Sequence, residues 1–534
     1  MALHGWNPRR ADPGIAAASI MLALLALLAL LALSACTPRH AAPARTSAMW
    51  VAGHSEPAFA PDGPPDALRT ALERLLSRGL VECDSAGFVQ PALAEHWAWS
   101  ADSLALTFTL RENLRYTNGA PITSADFAAA IIAGLAREDH ATRAWLLQAV
   151  RGVDKVRAGR PLPAAALGVE TPDARTLVLH LAKRDPLLLE RLATPGITTP
   201  FAQRAGIEWG QAVGAGPYRV LVSDAGRTLT LVRADSCAAA IASVDTLRVR
   251  FMVGAPRVRT LLRAAAADLV WPLPPALLEE SLPAPWSLVT HAAQPARRLL
   301  LVFRADVPPT TQVTARNALA HAIDRRELLA ALGARAATSD RWLPGAGTSE
   351  PPSYDLKESQ RWREQGHLGA SFHILLGFDA DGAGAEVARA LQGEWARAGL
   401  YAELAPSRGP QALAAPLAAV APQALLVESQ APIPGAAAEL ATLLMPLRGP
   451  AVGGFRGGWR TREFDTWVAV PDAPEPLDAA AAQARLAEQC LALPIADLPW
   501  CWLQRPEGRP AAFHPRFGPE YATRRSYGSH TLNR

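Results

Sequence analysis

The sequence predicts an α/β protein of more than one domain. Two observations predict it. The chain has 534 residues, and the roughly 500 that follow its apolar front segment exceed what one hydrophobic core organises. Strand-like alternation and helix-like periodicity also take turns along its length. Half of the residues (50%) are hydrophobic and the formal net charge is +4, values of a globular protein. No basic stretch is dense enough to argue for nucleic acid. No internal repeat and no long disordered segment stands out.

The stretch from Leu104 to Ala129 carries the most information. Leu104, Leu106, Phe108 and Leu110 alternate with small or polar residues, the period of a half-buried strand. Asn118-Gly119 marks a tight turn, because both residues tolerate positive φ. Thr123 then precedes Asp126 by three residues, a variant of the capping box that opens a helix.

Further elements follow in order. Gly168 to Leu181 reads as a hairpin, with Thr176, Val178 and His180 alternating against Leu177, Leu179 and Leu181. Asp185-Pro186 starts a helix, aspartate as cap and proline in the first turn. Val213 to Tyr218, with Gly214, Gly216 and Pro217, is a sharp turn feeding a strand. Val244 to Phe251 reads as a strand. Ala315 to Leu332 reads as one helix, with an apolar stripe at Ala315, Ala318, Leu319, Ala322 and Ile323. Phe372 to Leu376 is a strand, Ala385 to Ala398 a helix, and Tyr401 to Leu404 extended again. Pro494 to Leu503 is a closing strand. The Gly- and Pro-rich stretches 344–352 and 404–422 are surface loops.

The front end is a targeting segment. Arg9 and Arg10 open it, residues 15–35 carry no charge, and Leu33-Ser34-Ala35-Cys36 fits a bacterial lipobox. In that reading Cys36 is the lipidated first residue of the mature chain, which is held outside the cytoplasmic membrane. An uncleaved transmembrane anchor is the alternative, since about 20 apolar residues span a bilayer. Cys83, Cys237, Cys490 and Cys501 remain. An even count in an oxidising compartment permits two disulfides. Cys490 and Cys501 are close in sequence and form the favoured pair, with Cys83–Cys237 as its complement; four buried thiols are the alternative. No cysteine spacing resembles a zinc site.

The residues around the first signature resemble a known family. Pro91, Leu93, Ala94, Trp97, Asn118, Gly119, Pro121, Ile122, Thr123 and Asp126 keep the order and spacing of the extracellular solute-binding proteins of family 5. These are receptors of ABC importers for peptides and related solutes. The Gly-Ala-Gly-Pro-Tyr stretch at 214–218 and Ala322-Ile323-Asp324-Arg325 resemble further family motifs. Phe464-Asp465 resembles a late one.

The resemblance implies a two-lobe α/β fold of the periplasmic-binding-protein kind (type II), with an extra subdomain in the first lobe. The front-end pattern gives a signal peptide at 1–35, and the small, polar, proline-containing residues that follow give a lipid-anchored tether at 36–48. Lobe I takes 49–80, 186–295 and 480–534, the subdomain 81–185, and lobe II 296–479. The resemblance also implies a monomer that holds a peptide or other small solute between its lobes, with ABC permease and ATPase subunits and the membrane as partners. No cofactor or metal is implied.

Three departures bear on the ligand. Where family members often carry an aspartate able to hold a peptide's amino terminus, Val427 to Pro434 carries none; Gln430 falls near its place, and Glu428 is a possible substitute. Arg304 follows Phe303 where asparagine is usual, and a guanidinium there either clamps a carboxylate or pairs with a structural acid. Ala234 to Cys237 replaces a further Asn- and Tyr-containing element. Trp50, Trp271, Trp342 and Trp459 are pocket candidates, because tryptophan offers apolar area plus one donor; ordinary core is the alternative for each.

Enzyme classes find little support. The H-E-x-x-H, G-x-S-x-G and Walker A motifs are absent. Gly382-Ala383-Gly384 mimics part of a dinucleotide fingerprint, but Val387 occupies the third glycine position. The expectation is a lipid-anchored solute receptor of an ABC importer, most readily for short peptides. The alternative is a sensory or envelope lipoprotein that keeps the fold without transport.

Overall fold

Three sheets of four or more strands organise this computed structural model, which describes residues 46–524 with interruptions, the longest at 408–421 and 431–478. The chain begins with β1 (Ser47–Ala52), α1 (Ala67–Leu76) and a hairpin of β2 (Val81–Cys83) and β3 (Val89–Pro91). Next come β4 (Ala94–Trp99), β5 (Ala105–Leu110), α2 (Ser124–Ala136), α3 (Ala141–Leu146), β6 (Val169–Asp173) and β7 (Thr176–His180). After α4 (Leu188–Leu192) follow β8 (Tyr218–Asp224), β9 (Thr228–Arg233), β10 (Ala240–Ala242), β11 (Thr246–Phe251), α5 (Ala255–Arg263), β12 (Leu269–Val270) and β13 (Ser287–His291). The middle of the chain supplies β14 (Arg297–Phe303), α6 (Val313–His321), α7 (Arg325–Leu332), β15 (Ala337–Thr338), α8 (Leu356–Gln365) and β16 (Phe372–Asp379). It continues with α9 (Gly384–Arg397), β17 (Leu400–Ser407) and β18 (Ala424–Gln430). The last part holds α10 (Ala479–Gln489), β19 (Ala492–Leu498), β20 (Trp500–Gln504), β21 (Ala512–His514), β22 (Gly518–Glu520) and β23 (Ala522–Arg524).

Lobe I is built on the seven-stranded sheet β13-β20-β12-β1-β11-β9-β8, in which β1 runs parallel to β11 and β12. Side chains alternate across it as the pleat requires. Trp50, Leu269 and Trp502 enter the core on one face, with Leu68, Leu72 and Leu75 of α1. Val51, Val270 and Leu503 enter the core on the other, with Val258 and Leu262 of α5. A sheet covered on both faces needs apolar residues on both, which is why β1 reads as a continuous Trp-Val-Ala run. Each fully buried leucine contributes about 2 kcal/mol.

Lobe II is built on the six-stranded sheet β15-β19-β14-β18-β16-β17, with α9 packed on β16 and β17. Its central β14 is antiparallel to β18 and β19, while β16 is parallel to β17 and β18. The subdomain has its own sheet, β4-β5-β7-β6, with α2 against β6 and β7. Its signature turn works as expected. Gly119 sits at φ 89°, and Ala120 N–H donates to Asn118 Oδ1. Asp126 accepts the Thr123 N–H at 2.7 Å and the Tyr116 hydroxyl at 2.9 Å, tying helix start to turn.

The glycines of the 214–218 turn have a packing reason. A Cβ on Gly214 would meet the Leu76 carbonyl oxygen at 2.2 Å, and one on Gly216 would meet the Leu76 carbonyl carbon at 2.3 Å. Only a bare backbone lies this close to the end of α1, where Gly216 N–H donates to Leu76 O. Tyr218 then enters the core and donates its hydroxyl to Tyr521 O.

The structure differs from expectation at several points. The helix expected over Ala315 to Leu332 is two helices, α6 and α7. Asp324 has extended backbone and accepts the Arg326 N–H, so it caps a new helix instead of continuing the old one. The helix after Asp185 begins at Leu188, while Asp185 accepts the Leu187 N–H and sits against Arg191. The closing strand is divided at Pro499 into β19, in the lobe II sheet, and β20, in the lobe I sheet. Lobe II therefore extends past residue 480 to Leu498, and α10 packs its Ala482 and Leu486 into the core that lobe II shares. Most of the two expected surface loops, together with Phe464-Asp465, lies outside the described residues.

The favoured disulfide is corrected. Cys83, Cys490 and Cys501 are all thiols. Bridged cysteines need Cα atoms within about 7 Å, whereas the strand β19 that separates Cys490 from Cys501 alone spans about 20 Å. Cys490 is fully buried beside Arg316, and burial pushes its thiol up to about 12. Cys237, the expected partner of Cys83, lies outside the described residues.

Candidate functional site

In α/β sheets, solutes bind beyond the carboxyl ends of parallel strands, where loops and helix N-termini converge. Both lobes direct such ends to one junction. From lobe I come Gly53 and His54 after β1, and Trp271-Pro272 after β12. Gly53 N–H donates to Pro272 O at 2.9 Å, which locks the two strand ends together. From lobe II come the end of β18 (Glu428 to Gln430), the Gly382-Ala383 turn before α9, and the start of β14 at Arg297. The chain crosses between the two sheets twice among the described residues, from β13 to β14 and from β19 to β20.

A charged cluster occupies the junction. Arg297 Nη2 donates to Glu428 Oε2 at 2.6 Å, and the Ala383 N–H donates to Glu428 Oε1 at 2.9 Å. Arg297 Nη1 donates to Pro499 O at 3.2 Å, and its guanidinium lies 4.1 Å over the Trp500 ring. The side chains are 20% and 31% exposed, so solvent reaches the pair. Burial works to raise the Glu428 carboxyl. Arg297, the Ala383 N–H and, more weakly, His54 outweigh burial and hold it below the ordinary carboxylate range. His54 belongs to lobe I, so this interaction spans the lobes. A Cβ on Gly382 would lie 3.0 Å from Glu428 Oε1, which explains the glycine there better than a nucleotide motif does.

The expected site residues fall in three groups. Gln430 is at the junction, opposite Arg297 in the β14–β18 register. Arg304 is not: it follows the other end of β14, about 23 Å from Arg297 along the strand. It is 7% exposed, its N–H bonded to Gln423 O and its carbonyl to the Thr310 hydroxyl. A clamp on a solute carboxylate is therefore corrected to a buried position in lobe II.

Trp50, Trp271 and Trp342 are 0%, 1% and 3% exposed and belong to the cores. Trp50 donates its indole N–H to Trp271 O, and Trp342 donates to Ala492 O at 2.6 Å. Trp50 points off the face of a central strand, whereas the junction lies off its end, so its ring meets the core. Trp459 and Cys36 lie outside the described residues. Arg297 was not anticipated. The signal was the pair Arg297-Arg298 ahead of an unbroken Leu299–Phe303 run, which separates the open end of a strand from its buried end.

A second charged region is structural. Arg74 contacts Glu520 and lies 4.0 Å from Glu82, while Arg78 Nη1 lies 2.5 Å from Glu82. The cavity beside them has a volume of about 20 Å³, room for one water and not for a solute. Among the described residues no group of acids, histidines and cysteines could hold a metal ion.

The comparisons with known proteins bear on this geometry. The family model of the bacterial extracellular solute-binding proteins, family 5 (middle), matches residues 89–419, more than half of the chain. The chain belongs to this family. The match takes in the signature turn of the subdomain, the glycine turn at 214–218, β14 and α9. Among family relatives, a putative binding protein of Haemophilus influenzae is 32% identical over 139 residues, 26% of this chain and 27% of that protein. The periplasmic oligopeptide-binding protein OppA of the same organism is 35% identical over 114 residues, 21% of each chain. The chain thus aligns with about a quarter of the length of these curated relatives.

Solved structures cover nearly all of the fold. Haemophilus influenzae OppA in complex with RPPGFSPFR matches with TM-score 0.74 at 17% identity, covering 90% of this chain and 98% of that one. The Escherichia coli murein tripeptide binding protein MppA matches with TM-score 0.75 at 18% identity, covering 90% and 97%. These likenesses establish the two-lobe binding-protein fold. The family is one of binding proteins, and no catalytic role is assigned.

Proposed function

We propose that this protein is an extracytoplasmic, lipid-anchored receptor of an ABC importer that encloses a short peptide between its lobes and delivers it to a permease. The observation that carries the reading is the convergence of strand ends from both lobes on one junction crossed twice by the chain. Such an arrangement closes about a hinge, and a solute that contacts both lobes shifts the equilibrium toward the closed form. No covalent step is required, and a partner ATPase supplies the energy.

Family membership supports the receptor role. The relatives named as oligopeptide- and dipeptide-binding proteins support the peptide class. So does the Helicobacter pylori neighbour DppA, described in complex with the peptide STSA. The same fold also appears in complexes with Ni(L-His)2 and with mannopinic acid, so solute class needs its own test. Cys36 directly after Leu33-Ser34-Ala35 supports the lipid anchor. The receptor works as a monomer.

Mass spectrometry of small molecules released by unfolding the natively purified protein tests the reading. A stoichiometric set of short peptides is expected. One distinct non-peptide compound replaces the solute class. An empty cleft, with no thermal shift across a solute panel, favours a non-transport lipoprotein. Replacement of Cys36 by alanine should abolish fatty-acid labelling and release the chain from the membrane fraction.

A further inference from the structure

A carboxylate at a lobe junction is by charge a site for a cation. Glu428 occupies that position, at the end of β18 and within electrostatic reach of His54 from the other lobe. Yet both of its oxygens have protein donors: Oε2 takes Arg297 at 2.6 Å, and Oε1 takes the Ala383 N–H at 2.9 Å. The pairing is not a loose surface contact. The guanidinium is fixed from below by the Trp500 ring at 4.1 Å and from the side by the Pro499 carbonyl at 3.2 Å. Its strand register also places Leu299 opposite Glu428, so the arginine reaches the acid from two residues along the neighbouring strand.

The neighbouring helix end points the same way. Ala383 precedes the 14-residue helix α9, whose N-terminus adds partial positive charge beside Glu428. His54 is basic. Asp379, on the other side of Gly382, has interactions of its own. An ammonium group entering here would meet a carboxylate already neutralised, next to a guanidinium that repels it. An uncharged or anionic group meets no such penalty, and Arg297 has donors beyond the two used in these bonds.

We propose that Arg297 silences Glu428 as a cation-binding group, so that the part of the cleft they line accepts a neutral or anionic end of the solute and discriminates against a free ammonium. The inference rests on the solute-receptor reading above and specifies its ligand: for peptides, those whose amino end is blocked or lies away from this junction.

The test compares matched ligands. A mixed set of tri- and tetrapeptides and the same set N-acetylated are offered to the full-length protein in detergent, and the best binders are titrated by calorimetry. The wild-type protein should bind the acetylated member of each pair at least as tightly as the free amine. Arg297→Leu should shift that ratio toward the free amine by about tenfold, the worth of one charge-assisted hydrogen bond. The double variant Arg297→Leu, Glu428→Gln should lose the gain. A wild-type preference of tenfold or more for the free amine overturns the inference and leaves the peptide reading intact. So does an unchanged ratio in a folded Arg297→Leu protein. If that variant does not fold, the wild-type ratio decides alone. Binding of neither set by the wild type refutes the peptide reading, and the end-group inference falls with it.

Discussion

Arg74 and Arg297 make the same contacts in different settings. Arg74 meets Glu520 and Glu82 and lies 4.4 Å over the Phe517 ring. Arg297 meets Glu428 and lies 4.1 Å over the Trp500 ring. The first side chain is 9% exposed, and its partners belong to β2 and β22, so it joins three segments of lobe I and the subdomain into one block. The second is 20% exposed and stands where two blocks meet. A largely sealed ion pair is a device of architecture, because removing Arg74 strands carboxylates that water reaches poorly, Glu82 at 6% and Glu520 at 23% exposure. A half-open pair costs little to lose and is free to set what a ligand meets. The difference lies in access, not in residue type.

The comparison can be broken most severely on the sealed side. Arg74→Leu leaves Glu520 with only the weaker attraction of Arg78 and His514, leaves Glu82 with one partner fewer, and should cost about 3 kcal/mol. Urea unfolding followed by circular dichroism measures it, and a loss below 1 kcal/mol would contradict the architectural role. Gly216→Ala tests the same block without charge. Its methyl would strike the backbone at Leu75 and Leu76, and an expected loss of roughly 2 kcal/mol should appear in the same titration. Arg297→Leu should cost less than about 1 kcal/mol, because solvent reaches both partners. A large loss there would make the junction pair structural too.

Acidity sharpens the contrast further. Burial pushes both Glu428 and Glu520 up, but Arg297 and Arg74 outweigh it and hold each carboxyl below the ordinary 4.5. A carboxyl depressed in the folded state stabilises the protein above its unfolded value. That contribution is lost as pH falls through the folded value. The contribution of each pair is thus full at neutral pH and fades below about pH 4.5. Glu520→Gln should flatten part of that acid limb, and stability measured from pH 6 down to pH 3 is the check.

Local physics explains which parts of this were legible in the sequence. The β5 alternation, the Asn118-Gly119 turn, the Asp126 contact with Thr123 and the apolar stripe of α6 are consequences of residues near one another in the chain, whereas the glycines at 214 and 216 showed only as a turn and owe their packing reason to the distant Leu76. The break before α7 was hidden because Ala322 and Ile323 continue a helical stripe that Asp324 interrupts by capping. The division at Pro499 was hidden because β19 and β20 are both apolar, and only their sheet partners differ. The junction pair was the least legible. Arg297 and Glu428 are 131 positions apart and meet only because β14 lies beside β18. Arg304, seven residues from Arg297 and equally suited by chemistry, lies at the wrong end of the same strand. The tryptophans misled for a related reason: nearness to a strand end does not decide which way the ring turns.

The two crossings run side by side, since β13 is laddered to β20 in one sheet and β14 to β19 in the other. A single connecting strand is a swivel, about which two bodies turn in every direction. A pair held at both ends by hydrogen-bonded ladders resists shear and sideways tilt and leaves flexing about the line through the crossing points. The lobes therefore behave as the covers of a book on one spine. In the proposed receptor their open states would form a narrow arc, each of whose members already faces the other cover correctly, and closure on a solute would start from a small search.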